Sequence, residues 1–66
     1  MTKAHTLTLC KAVGMSARYI SETREFRIVP KDTPIEKREA FAYYTDCPYD
    51  AVWTACEMGY VRRHNS

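Results

Sequence analysis

The stretch SARYISETREFRIVP, residues 16–30, carries the same alternation on both sides of a polar centre. Bulky and polar side chains take turns up to Ile20, and the pattern resumes from Glu25 to Val29. A turn over Ser21–Arg24 sets Tyr19 opposite Phe26 and Arg18 opposite Arg27, so each cross-strand pair shares a face. Ala17, Tyr19, Phe26 and Ile28 then form one apolar side, with Arg18 and Arg27 on the other. Pro30 ends the second strand, since it has no N–H to give to a ladder. The rest of the chain must cover that apolar side.

With 66 residues in all, one domain spanning 1–66 is expected, with an ordered core at about 6–60. A chain of this size buries only about 60% of its unfolded surface, so its net stability is modest and self-association or a partner can supplement it. An apolar fraction of 45%, with five Tyr, two Phe and one Trp, is ample for a folded domain. No apolar run approaches the roughly 18 residues of a membrane span, and MTKAHTLTL lacks the apolar stretch of a signal peptide. A cytoplasmic protein without membrane contact is the expectation.

Ahead of the hairpin lies HTLTLCKAVG, residues 5–14. Leu7 and Leu9 alternate as in a strand, while Leu9, Ala12 and Val13 follow helical spacing, with Thr6 or Thr8 as cap. A short helix is expected, with Gly14 supplying the left-handed turn that ends it; a strand is the alternative. After the hairpin, KDTPIEKRE has the composition of an exposed loop. EAFAYYT reads as a third strand, with either Phe41 and Tyr43 or Ala42 and Tyr44 facing inward. DCPYDAVWTACEM reads as a helix that tolerates Pro48 in its first turn, with Asp46 or Asp50 offsetting its positive start and Gly59 as its stop. The order helix, strand, strand, strand, helix implies an α+β fold: a three-stranded antiparallel sheet with two helices on one face.

On a helical wheel the last helix carries Ala51, Val52, Ala55, Met58 and Gly59 on one side, small enough for close packing on the sheet. Tyr49, Trp53, Cys56 and Tyr60 form a second stripe beside the first, leaving only Asp50, Thr54 and Glu57 as a clear polar face. Either the first helix or an external partner, a second copy included, covers this second stripe. Trp and Tyr are among the residues most enriched at interface hot spots.

Chemical signatures are absent. The chain has two glycines, no GxSxG, no phosphate loop and no HExxH. Cys10, Cys47 and Cys56 show no CxxC spacing, and His5 and His64 lie near opposite ends of the sequence, so a zinc site is not expected. Cys47 sits near a helix start, but Asp46 and Asp50 oppose a thiolate there and no histidine is adjacent. No catalytic residue, cofactor or small-molecule substrate is expected.

The formal charge of +2 does not by itself announce nucleic-acid binding. The order of elements nevertheless resembles the double-stranded-RNA-binding domain. That family grips phosphate at a lysine-rich start to its second helix; here TDCPYD, residues 45–50, places aspartates there and no lysine. The alternative route is the sheet face, where Arg18, Arg27 and Ile20, with Tyr43 or Tyr44, would meet a groove. In sequence, Ala17–Tyr19, Glu25–Ile28, Ala42–Asp46 and Asp50–Met58 follow the pattern A-R-Y, E-[FY]-R-[IV], A-Y-Y-T-D, D-A-x-x-T-A-x-x-M. This resembles a group of small, uncharacterised bacteriophage and prophage proteins, Cys47 standing where an acidic or polar residue is expected. The resemblance implies an accessory protein in the cytoplasm of a bacterial host, acting on a host or phage macromolecule, in some cases as an inhibitor of a host system. The expected function is therefore protein–protein binding without enzymatic activity, through Tyr49, Trp53, Cys56 and Tyr60. Nucleic-acid binding through Arg18, Arg27, Tyr43 and Tyr44 is the alternative.

Overall fold

The computed structural model describes residues 1–64, with side chains described through Tyr60; the side chains of Arg62 and Arg63 lie outside that range. The fold is α+β, and its sheet has the expected register. Helix α1 (Lys3–Ala12) leads into strands β1 (Met15–Ile20) and β2 (Glu25–Pro30). Tyr19 pairs with Phe26 and Arg18 with Arg27, as the alternation requires. The connecting turn places Arg24 at φ 59°, a left-handed conformation that costs a non-glycine residue about 1–2 kcal/mol.

The first segment is a helix, and its cap is Thr2 rather than Thr6 or Thr8. Thr2 Oγ1 accepts the His5 N–H at 3.1 Å. Thr6 and Thr8 instead donate their hydroxyls to the carbonyls one turn back, at 2.8 and 2.9 Å. Gly14, at φ 88°, makes the left-handed exit. Its N–H returns to the Lys11 carbonyl at 3.1 Å, which satisfies one of the orphan acceptors at the end of α1.

Between β2 and the third strand the expected loop and strand start are replaced by helical turns. A 3-10 turn over Ile35–Lys37 runs into helix α2 (Arg38–Phe41), and strand β3 is only Tyr43–Thr45. Arg38, Glu39 and Ala40 are good helix formers, and that local preference prevails over the aromatic alternation of EAFAYYT. The register sets Ile28 against Tyr43 and Arg27 against Tyr44, which turns Tyr43 toward the core and Tyr44 away from it. Phe41, outside the strand, is exposed.

Helix α3 (Pro48–His64) packs on α1 and the sheet. The core gathers Cys10, Met15, Ala17, Phe26, Ile28, Ala51 and Ala55, with Leu7, Val13, Tyr19, Tyr43, Val52 and Met58 around it. Phe26 meets the Tyr19 ring edge-on, with centroids 5.1 Å apart. Gly59 does not end α3. A Cβ there would stand 2.8 Å from the Val13 carbonyl oxygen, so the glycine permits close approach of α3 to the end of α1. The opposite face of the sheet is only partly open: Val29 is fully buried on it, and α2 lies against β2.

Candidate functional site

The start of α3 fixes where its outer face points. Thr45 Oγ1 accepts the Cys47 N–H at 3.2 Å, and the Ala51 N–H closes the first turn onto the Cys47 carbonyl at 3.0 Å. The Tyr43 hydroxyl donates to Asp50 Oδ2 at 2.6 Å, tying β3 to the first helical turn. Ala51 and Ala55 are then fully buried, and Gly59 lies against α1. With the small residues facing inward, the helical period carries the second stripe outward. Tyr49, Trp53 and Tyr60 are 66%, 68% and 63% exposed, and Cys56 is exposed beside them. The neighbouring helix therefore covers the small-residue stripe and leaves the aromatic stripe largely exposed to solvent. Trp53, Cys56, Glu57 and Tyr60 line a shallow depression of about 540 Å³. Glu57 belongs to the polar face by sequence alone, yet one turn of helix sets it beside Trp53.

The three thiols sit in different surroundings. Cys10 is buried, its Sγ 3.7 Å from the Ala51 carbonyl, and burial pushes its pKa up, with Cys56 adding a smaller push. Cys47 and Cys56 are free and exposed. Among the described residues, no group of three or more His, Cys, Asp or Glu could hold a metal ion. None of their helices is long and apolar enough to cross a membrane.

The basic sheet face is assembled differently from the expectation. Arg18 is exposed, but the Arg27 side chain is only 13% exposed. Its Nη2 pairs with Glu39 Oε2 of α2 at 3.2 Å, and its Nε donates to the Tyr44 hydroxyl at 3.3 Å. Tyr44 in turn donates to the other Glu39 oxygen. Tyr43 does not join this face, being half-buried on the core side. Glu39 has no counterpart in the sequence reading, because α2 brings it across space to an arginine twelve positions away.

Two carboxylates are held below their ordinary pKa by these bonds. Tyr44 is the leading cause at Glu39, followed by Arg27; at Asp50 the leading cause is Tyr43, followed by Thr45. A depressed native pKa contributes stability that is present above the unfolded value and lost as pH falls through the native one. The urea midpoint of the wild type is therefore expected to fall on acidification through the carboxylate range, about pH 4 and below. A Glu39→Gln, Asp50→Asn variant should show a flatter profile. An equal fall in the variant would remove both bonds as the cause.

Comparison with protein-family models, with curated proteins and with solved structures returns no match for this chain.

Proposed function

We propose that the chain is a non-enzymatic binding protein that acts by protein–protein contact through Tyr49, Trp53, Cys56 and Tyr60. The observation that carries this reading is the solvent-exposed aromatic ridge on α3, where Tyr49, Trp53 and Tyr60 are each more than 60% exposed. Internal packing does not account for it, since Ala51, Ala55 and Gly59 make the close contacts of that helix. Contiguous apolar patches rimmed by polar groups mark interaction surfaces on soluble domains. The phage-type pattern in the sequence supports an accessory role in a bacterial cytoplasm, as a dimer or as an inhibitor of a host system. Nucleic-acid binding has less support, because Arg27 is already engaged by Glu39 and Tyr44.

Trp53→Ala separates this reading from a structural role. Folding stability should stay within about 0.5 kcal/mol of wild type, as for surface positions generally. Association through the ridge should weaken by more than 2 kcal/mol, roughly 30-fold, if Trp53 is a hot spot. Urea unfolding measures the first quantity, and sedimentation with and without a candidate partner measures the second. A large loss of stability with unchanged association would remove the ridge as a binding surface.

A further inference from the structure

The back of the sheet carries a segment built inside out. Residues 35–41, the 3-10 turn and α2, bury no side chain of their own. Ile35 and Phe41 are exposed, and the segment meets the sheet through a carboxylate instead. Phe41 and Lys37 line a hollow of about 240 Å³ with Pro30 and residues 32–34, so the packing there is incomplete. Arg38 Nη2 donates to the Lys31 carbonyl at 3.2 Å, but its Nε is buried with no hydrogen-bond partner. Under this cover lies Val29, fully buried yet outside the main core, on the same face as Arg27.

Independently of the ridge on α3, we infer that residues 35–41 form a latched lid. Glu39 holds the lid shut on Arg27 and Tyr44, and local opening uncovers Arg27 and Val29 while the hairpin and the two long helices stay folded. The latch joins one carboxylate to two partners: Oε2 pairs with Arg27 Nη2 at 3.2 Å, and Oε1 accepts the Tyr44 hydroxyl. Arg18, the cross-strand neighbour of Arg27, adds a weaker pull on the same carboxylate. Pro34 and Ala42 flank the lid with extended backbones, and β3 starts only at Tyr43, so opening between them breaks no strand pairing. An undocked helical stretch this short does not persist in water, so opening also frees the Lys37 and Ala42 amides, bonded to the Pro34 and Glu39 carbonyls while the lid is shut. Closed, the lid withholds Arg27 from any external anion; open, it presents Arg27 beside Arg18.

Amide hydrogen exchange, read by NMR on the whole chain, tests the lid. In the wild type the Lys37 and Ala42 amides should be protected, but less than amides paired between β1 and β2. Their exchange should also be nearly indifferent to low urea, which accelerates exchange that needs global unfolding. Glu39→Ala keeps a good helix former in α2 while deleting the latch. It should speed exchange at Lys37 and Ala42 roughly three- to ten-fold, the range expected for losing a partly exposed, charge-assisted contact. Tyr44→Phe, which removes one of the two bonds to Glu39, should move both amides less in the same direction. Phenylglyoxal modification, read by mass spectrometry, should reach Arg18 before Arg27 in the wild type and reach Arg27 faster in Glu39→Ala.

Lys37 and Ala42 amides that match the strand amides in both rate and urea dependence would overturn the inference, because the segment then opens only with the whole molecule. Amides without protection in the wild type would overturn it too, since no lid would be shut. Indifference of both amides to Glu39→Ala removes Glu39 as the latch, whatever happens at Arg27. Arg27 modified as fast as Arg18 in the wild type leaves nothing for a lid to uncover. None of these results touches the ridge reading, which rests on Trp53 and its neighbours.

Discussion

Phe26→Ala is expected to remove a large part of the folding stability, about 3–5 kcal/mol. Phe26, in β2, is 2% exposed and packed edge-on against Tyr19. Truncating a buried phenylalanine costs about 3–5 kcal/mol, the lost transfer energy plus the cavity left behind. Domains have roughly 0.05–0.15 kcal/mol of stability per residue, so a chain this short holds about 3–10 kcal/mol in total. The substitution removes a large part of that at one position. The urea transition followed by circular dichroism should move to a much lower midpoint, with a shortened native baseline. A cooperative transition near the wild-type midpoint would mean that Phe26 is not the centre of the core. The contrast with Trp53 is instructive, because a larger ring removed from the exposed ridge should cost almost nothing.

Gly59→Ala sets two effects against each other, and the sign of the result identifies the winner. Helix propensity favours alanine over glycine by about 1 kcal/mol in an exposed helix interior. At this position the added methyl would meet the Val13 carbonyl oxygen at 2.8 Å and the Val13 Cβ at 3.5 Å. The obstructing atom is backbone. Val13 is itself fixed, with its N–H on the Cys10 carbonyl at 3.3 Å and its neighbour Gly14 bonded to Lys11. Overpacking of this kind typically costs about 1–3 kcal/mol. A net loss of stability is therefore expected in urea unfolding, although alanine is the better helix former. A gain of about 1 kcal/mol, the propensity value alone, would show that α1 and α3 do not approach so closely.

The hairpin was legible because a period of two and a four-residue turn leave one register that keeps Ala17, Tyr19, Phe26 and Ile28 on a common side. The outer stripe of α3 was legible for the same kind of reason, a 3.6-residue period running from Tyr49 to Tyr60. Gly59 was misread because a glycine that ends a helix and one that admits a neighbouring backbone look alike in sequence. Only the position of Val13 separates the two. The start of the third strand failed because Arg38, Glu39 and Ala40 favour a helical turn, while the adjacent aromatics suggest a strand. The engagement of Arg27 followed from that error. Its carboxylate partner sits on the turn that was missed, so the sheet face read as freer than it is. Tyr43 and Tyr44 differ only by parity, and the pairing of Ile28 with Tyr43 was needed to assign each to its side.

The thiol–carbonyl contact between Cys10 and Ala51 joins positions 41 apart, and it bears on how the molecule is made. β1 and β2 can zip as soon as both have left the ribosome, for their pairing is local. The roof over them cannot close until α3 has been synthesised, since α1 must wait for a neighbour 41 positions further along. Loop-closure entropy makes that late step the slow one. Until α3 docks, both of its stripes face water together, which makes the chain most prone to sticking at that stage.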